Sequence, residues 1–385
     1  VIYWDHNAST PLRAEIAAEL ARNVTAAAAA PGNASSVHRG GREWRTRLDA
    51  ARARVAKVLG CDARELCFTG SGSEADALAL KGAFLGRKEV TRRRIVTSQI
   101  EHPALLAAAA QLEASGAIVI RVPPRPDGQV SLEQFASKLT GEVSVCSLMW
   151  ANNETGVLQP VAELARLCRQ RQIVLHVDAV QAAGKVPVSL REVDADLLSI
   201  SAHKFYGPPG VGVLVVRRGV DVQALTPGHQ EWGRRGGTQN VLFAEALAGA
   251  LEFSAKELEL EAGRLRSLRD RFEREVRSRI PNVRVNGGAA PRVPNTSSLE
   301  FVDADGEALL IALDLEGICA SSGAACASGS LSPSHVLTAM GLTSAQAHSS
   351  LRFSLGAASS EAEVDRVLEA LEKHVPRARE AALTA

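Results

Sequence analysis

Ile173-Val-Leu-His-Val-Asp178-Ala-Val-Gln181 is followed, one apolar strand later, by Ser201-Ala-His203-Lys204-Phe-Tyr-Gly-Pro-Pro-Gly. An acid closes the first apolar run and a lysine follows the second. Runs that are apolar on both faces, with helical stretches between them, mark a largely parallel sheet. Ligands collect at the carboxyl ends of such strands. The pairing suits a pyridine cofactor. A carboxylate keeps the ring nitrogen protonated, and an amine condenses with the aldehyde. The cofactor so read is pyridoxal 5′-phosphate (PLP).

Outward from this stretch, the same pattern recurs. Arg94–Thr97, Ile118–Val122, Val143–Met149, Leu197–Ser201 and Val211–Val216 read as strands. The last, after the Pro-Pro-Gly turn, fits an antiparallel return. From about Leu242 to Arg279 the chain has the composition of one long charged helix, stopped at Pro281. Shorter elements follow at Val283–Val285, Thr296–Phe301, Glu307–Leu315 and Glu361–Lys373. The expected class is α/β: a large PLP-binding domain over 1–250 with a mostly parallel central sheet, and a smaller C-terminal α/β domain over 251–385. The extreme N-terminus, Val1-Ile-Tyr-Trp, reads as a strand that packs on the smaller domain and not as a signal peptide.

Lys plus Arg number 44 against 43 Asp plus Glu, so no global field draws the chain to nucleic acid or to an acidic membrane. No apolar run approaches the ~20 residues of a membrane span. The six cysteines form no close metal-ligand pair, so no metal site is expected. Scattered thiols in a long chain point to a reducing cytoplasm.

Phe68-Thr69-Gly70-Ser71-Gly72-Ser73-Glu74-Ala75-Asp76 leaves a strand and opens a helix to about Leu85. Its small residues let backbone N–H groups approach an anion, and Ser73 adds a hydroxyl. The spacing is neither a Walker loop nor GxGxxG. Ser201 and His203, flanking the lysine, reach toward the same phosphate. Gln181 lies near enough to Asp178 to bond the ring hydroxyl. His102, in Gln-Ile-Glu-His-Pro after a strand, is placed to stack on the ring and exchange protons.

In order along the chain, these residues resemble the class V aminotransferase group of fold-type-I PLP enzymes. Within it they are similar to the NifS/IscS-type cysteine desulfurases. The resemblance runs nearly end to end. It includes Asp5-His-Asn-Ala-Ser-Thr-Pro11, Gly32-Asn33-Ala-Ser-Ser-Val-His38, Glu101-His102, Asn152-Asn153-Glu154-Thr-Gly156, Arg234-Arg-Gly-Gly-Thr238, Ser322-Gly-Ala-Ala-Cys326 and Ser349-Ser-Leu-Arg352-Phe-Ser-Leu-Gly356. It implies that Lys204 carries the cofactor covalently, that Asp178 and Gln181 bind the ring, and that His102 stacks on it. Gly72, Ser73, Ser201 and His203 would hold the phosphate, joined by Thr238 from the second subunit of a homodimer. Asn153 and Arg352 would hold the substrate carboxylate.

Cys326 sits in a run of small polar residues with little to anchor it, as a thiol that must reach into a site and carry cargo out would. The resemblance implies that L-cysteine gives L-alanine, with the sulfur held as a persulfide on Cys326 for an acceptor protein. That protein would serve iron–sulfur assembly, tRNA or cofactor thiolation, or DNA sulfur modification. A selenocysteine lyase, another class V aminotransferase and a non-catalytic sulfur-relay scaffold are the alternative readings. Two departures from the family pattern stand out: Gly-Ser-Gly-Ser-Glu-Ala at the helix opening, and Thr226-Pro227-Gly228-His229-Gln230-Glu231 before the Arg-Arg segment. In the second, Pro227 and His229 are expected to stiffen and fill the loop.

Overall fold

The computed structural model describes residues 1–87, 89, 91–322 and 333–383. In chain order its strands are β1 (Ile2–Tyr3), β2 (Leu66–Thr69), β3 (Arg94–Ser98), β4 (Ile118–Val122), β5 (Val143–Met149), β6 (Val174–Asp178) and β7 (Leu197–Ser201). There follow β8 (Gly212–Val216), β9 (Val283–Val285), β10 (Thr296–Phe301), β11 (Ile318–Cys319), β12 (Ser321–Ser322) and β13 (Ser350–Ser354). Seven of them form one sheet in the order β2-β8-β7-β6-β5-β3-β4. The β4, β3, β5, β6 and β7 neighbours pair in parallel, and β8 runs antiparallel to both β7 and β2. The strand after the Pro-Pro-Gly turn is thus the antiparallel return expected of it. Every residue of β5, β7 and β8 is buried, as strands covered by helices on both faces must be.

A second, antiparallel sheet has the order β12-β13-β10-β9. Its core gathers Phe301, Phe353, Leu299 and Leu351 around Trp4 and Phe272. Trp4 meets Phe272 edge-on, with ring centroids 5.1 Å apart at 89°. The first residues of the chain therefore belong to this layer: β1 pairs in parallel with β11, far from its sequence neighbours.

One helix, Val241–Arg279, serves both cores. At about 1.5 Å per residue it is on the order of 60 Å long. Its first turns bury Val241, Ala244, Leu247 and Leu251 against the large sheet. Its last turns bury Leu265, Leu268, Phe272 and Val276 against the small one. The C-terminal helix reaches Ala382, beyond the Lys373 expected from sequence, although Pro376 lies inside it. Val375 and Ala378 remain on its buried face, and that packing outweighs the lost backbone hydrogen bond. After β2, helical residues run from Gly72 to Gly86 with a π-helical insert at Leu78–Gly82.

The loop that departs from the family pattern is organised differently from the expectation. Pro227 and His229 are exposed. The residue that fills space is Glu231, 3% exposed, which pairs with the Arg52 guanidinium and accepts from Phe68 N at 2.8 Å. Arg52 also donates to Leu66 O at 2.8 Å and lies over the Phe68 and Trp232 rings at 4.9 and 4.5 Å. Glu231 and Trp232 adopt left-handed φ of 50° and 56°, a cost that the buried ion pair offsets. Removing the acid strands a buried cation. Glu231→Ala is therefore expected to lower stability by about 3–5 kcal/mol, read as a reduced urea midpoint. A loss below about 1 kcal/mol would show that Arg52 is solvated instead.

Candidate active site

The strand order decides which side chains meet. β6 and β7 are direct neighbours, so the acid ending one and the lysine following the other emerge at the same sheet edge. A cavity of about 280 Å³ opens there. Gly72, Ser73, His102, Asn153, Asp178, Gln181, Ser201, His203, Lys204 and Arg352 all line it. Thr238 is exposed and does not line its own chain's cavity. Cys326 lies outside the described residues.

At one end, Ser71 caps the helix that begins at Gly72, its hydroxyl accepting from Glu74 N at 3.1 Å. A Cβ on Gly72 would lie 2.9 Å from Val180 Cγ2 and 3.1 Å from the Cβ of Ser201. Only glycine fits this approach, and the bare backbone is what an anion needs. His203 Nδ1 sits 3.2 Å from Ser9 Oγ.

At the centre, Asp178 is 4% exposed and its Oδ1 accepts from Val180 N at 2.9 Å. Burial raises its pKa, against the backbone hydrogen bond and the nearby Lys204 charge. A buried carboxylate of this kind is stabilised by a cation beside it, which a protonated pyridine supplies. Lys204 Nζ donates to Asn7 O at 2.6 Å and to Ala8 O at 2.7 Å. His102 caps the helix Pro103–Ala114 through Nδ1, which accepts from Ala104 N at 3.2 Å. Burial lowers its pKa to about 4, helped by the charges of Lys204 and His335, so the ring is neutral near pH 7. A neutral imidazole stacks on an aromatic ring without the cost of desolvating a charge.

At the far end, Arg352 donates to Asn153 O at 2.9 Å and to Asp5 Oδ1 at 2.6 Å. Its Nε is buried without a hydrogen-bond partner among the described residues. An orphaned guanidinium N–H on the wall of a cavity is the donor a carboxylate ligand would satisfy. Anion cradle, buried acid, amine and guanidinium therefore fit PLP carrying an amino acid.

Sequence reasoning missed several residues here. Asp76 lies on the cavity wall, 2% exposed, its Oδ1 without a hydrogen-bond partner among the described residues and 3.6 Å from His176 Nε2. Burial raises its pKa well above the ordinary carboxylate value, with the Asp178 charge adding to the effect. His176 is held between the hydroxyls of Ser147, at 2.8 Å, and Ser199, at 2.9 Å. Asn7 and Lys185 form the floor beneath Gln181. Asn7 sits within the quoted Asp5–Pro11 motif. Lys185 follows Gln181 by four residues in an otherwise apolar turn, and that misplaced charge was the available signal.

Fold and site together define a PLP-dependent enzyme, and the chain belongs to the class-V aminotransferase family, whose sequence profile matches residues 2–367. Similar proteins within that family include cysteine desulfurases. The cysteine desulfurase of Trichormus azollae is 42% identical over 380 residues, covering 98% of this chain and 94% of the relative. That of Cereibacter sphaeroides is 44% identical over 381 residues, covering 98% and 96%. A solved NifS-like protein superposes with a TM-score of 0.89 at 33% identity, covering 97% of this chain and 99% of the other.

Two further buried acids border the site. Burial raises Glu101 to about 8, against hydrogen bonds from Ser98 and Met149 N. Burial raises Glu154 to about 7, against the Ser334 hydroxyl and the Arg352 charge. Between the ordinary carboxylate range and these values, the folded chain holds protons that the unfolded chain has released. Stability therefore falls as pH rises from the ordinary carboxylate range to about 7 for Glu154 and about 8 for Glu101, and levels off above those values. Lys185, whose pKa is lowered by burial, works in the opposite sense, so a variant comparison isolates the acid. Glu101→Gln is expected to flatten the decline in melting temperature between the ordinary carboxylate range and about pH 8. An unchanged slope in this variant would mean that Glu101 is ionised in the folded protein.

Proposed function

We propose that the protein is a PLP-dependent cysteine desulfurase that converts L-cysteine to L-alanine and passes the sulfur on as a persulfide of Cys326. The observation that carries this reading is the convergence of Lys204, Asp178, His102, Gln181, Ser201 and Arg352 on one cavity at the carboxyl edge of the large sheet. The full-length likeness to cysteine desulfurases supports the substrate.

PLP, when bound, supplies an aldehyde that captures the substrate amine and a ring that draws electron density from its Cα. Lys204 is the residue that carries it and that then moves the Cα proton with its Nζ. Asp178 holds a proton on the ring nitrogen, and Gln181 donates to the ring oxygen. Gly72, Ser73, Ser201 and His203 bind the phosphate. Arg352 and Asn153 bind the substrate carboxylate, the guanidinium fork fixing its orientation. His102 covers the ring and exchanges protons with the substrate amine or thiol. Cys326 thiolate attacks the substrate sulfur, the C–S bond breaks, and protonation of the carbon fragment yields alanine. The sulfur then moves to a thiol-bearing acceptor protein of iron–sulfur, tRNA, cofactor or DNA sulfur metabolism.

The working form is a homodimer in which Thr238 of the partner subunit completes the phosphate end. The exposure of Thr238 and its absence from its own chain's cavity support this arrangement. The free thiols at Cys61, Cys67, Cys146, Cys168 and Cys319 support a reducing, cytoplasmic setting. No helix among the described residues is long and apolar enough to cross a membrane.

Two substitutions separate the steps. Lys204→Ala is expected to abolish the cofactor's visible absorption band and to lower alanine release at least about 100-fold. Cys326→Ser is expected to keep the band and form no persulfide, measured by mass spectrometry after incubation with cysteine. Persulfide-dependent sulfur transfer by the Cys326→Ser protein would remove the assigned nucleophile.

A further inference from the structure

Lys185 is a buried charge-bearing group beside the site for which the proposed chemistry has no use. It is 7% exposed, and it lies on the wall of a second cavity of about 310 Å³ behind the active site. Lys204 lines both cavities. The hydrogen-bond partners of Lys185 are two amide oxygens, not carboxylates. Its Nζ donates to Asn7 Oδ1 at 2.8 Å and also to Gln181 Oε1.

Those two bonds fix the sense of two amides. Gln181 Nε2 donates to Asn7 O at 2.9 Å, while its Oε1 faces Lys185. A flipped Gln181 would set its NH₂ against the lysine donor and its oxygen against the Asn7 carbonyl, and both contacts would be repulsive. Asn7 is held the same way. Its Oδ1 accepts from Lys185 and, at 3.2 Å, from Asn295, while its Nδ2 donates to Asn153 O at 3.1 Å and Thr296 Oγ1 at 2.9 Å. One N–H of Gln181 is used by Asn7 O. The other belongs to a side chain on the wall of the site cavity.

We propose that Lys185 is a positioning residue: by occupying Gln181 Oε1 it commits the amide N–H of Gln181 to the ring oxygen of the bound cofactor. This rests on the PLP reading of the cavity and adds a residue to it. The depressed pKa of Lys185 is consistent with the role, since burial, the largest cause, favours the neutral amine.

A donor on the ring oxygen stabilises that oxygen's anion. It therefore lowers the pH at which the holoenzyme's visible absorption changes. Lys185→Met keeps most of the apolar stem of the side chain and removes the donor. Its midpoint is expected to rise by about 1 pH unit, and Gln181→Met is expected to raise it similarly. The double variant should shift no further than Gln181→Met alone, because one residue acts through the other. Lys185→Gln, which keeps a shorter donor, should give a midpoint between wild type and Lys185→Met, and it decides the matter if the methionine variant fails to fold. An unshifted midpoint in a folded Lys185 variant overturns the proposal. So do additive shifts in the double variant, which would mean that Lys185 acts by charge alone. Failure of the PLP reading itself would appear differently, as wild-type protein that never develops the absorption band.

Discussion

The site depends on how the backbone and side chain of Asn7 are held. Its carbonyl accepts from Lys204 and Gln181, its Oδ1 from Lys185 and Asn295, its Nδ2 donates to Asn153 O and Thr296, and its N–H donates to Ser354 Oγ at 2.9 Å. One short residue thus joins the large sheet's carboxyl edge to β10 and β13 of the small sheet. Every group that can bond is bonded, and in a low-dielectric interior a network of this kind is rigid when complete and costly when broken. The Asp5 contact to Arg352 extends it by one more link. The N-terminal segment is a wall of the cavity as well as the first strand of the smaller layer.

Around that frame, burial sets the protonation states. His102 and His203 are both lowered to about 4, with desolvation the largest cause in each. The acids Asp76, Asp178, Glu101 and Glu154 are shifted upward, again first by desolvation. The protein therefore concentrates neutral imidazoles and reluctant carboxylates beside one fixed guanidinium. A cationic ring and an anionic substrate entering such a place meet partners that gain from their charge. That is electrostatic preorganisation achieved by withholding water.

Much of this was legible in the sequence, and the reasons are local. β6, β7 and β8 are short, largely apolar runs bounded by turn residues, so their type and even the antiparallel sense of β8 could be read. Asp178 and Lys204 were legible because a polar residue ending a buried strand has few explanations. Asn7, Asp76 and Lys185 were not singled out, because their importance comes from what tertiary contact brings to them. Asn7 and Thr296 are 289 residues apart. The Thr226–Glu231 loop was misjudged for a related reason. Proline and histidine carry the obvious local signal, whereas the space is filled by Glu231, whose partner Arg52 lies 179 residues away. The extension of the last helix past Pro376 likewise reflects packing that overrides propensity.

The pairing of β1 with β11, and of Asp5 with Arg352 across 347 residues, has a consequence for how the protein is made. At roughly 5–20 residues per second, a ribosome needs on the order of tens of seconds to supply the second half of that contact. During this interval the large sheet can form and Thr10 can dock on His203, while the contacts of Asp5 with Arg352 and of Asn7 with Ser354 still wait for their partners. Vitamin capture before β13 is made would meet a pocket without its Arg352 side, so stable loading belongs after that strand has docked.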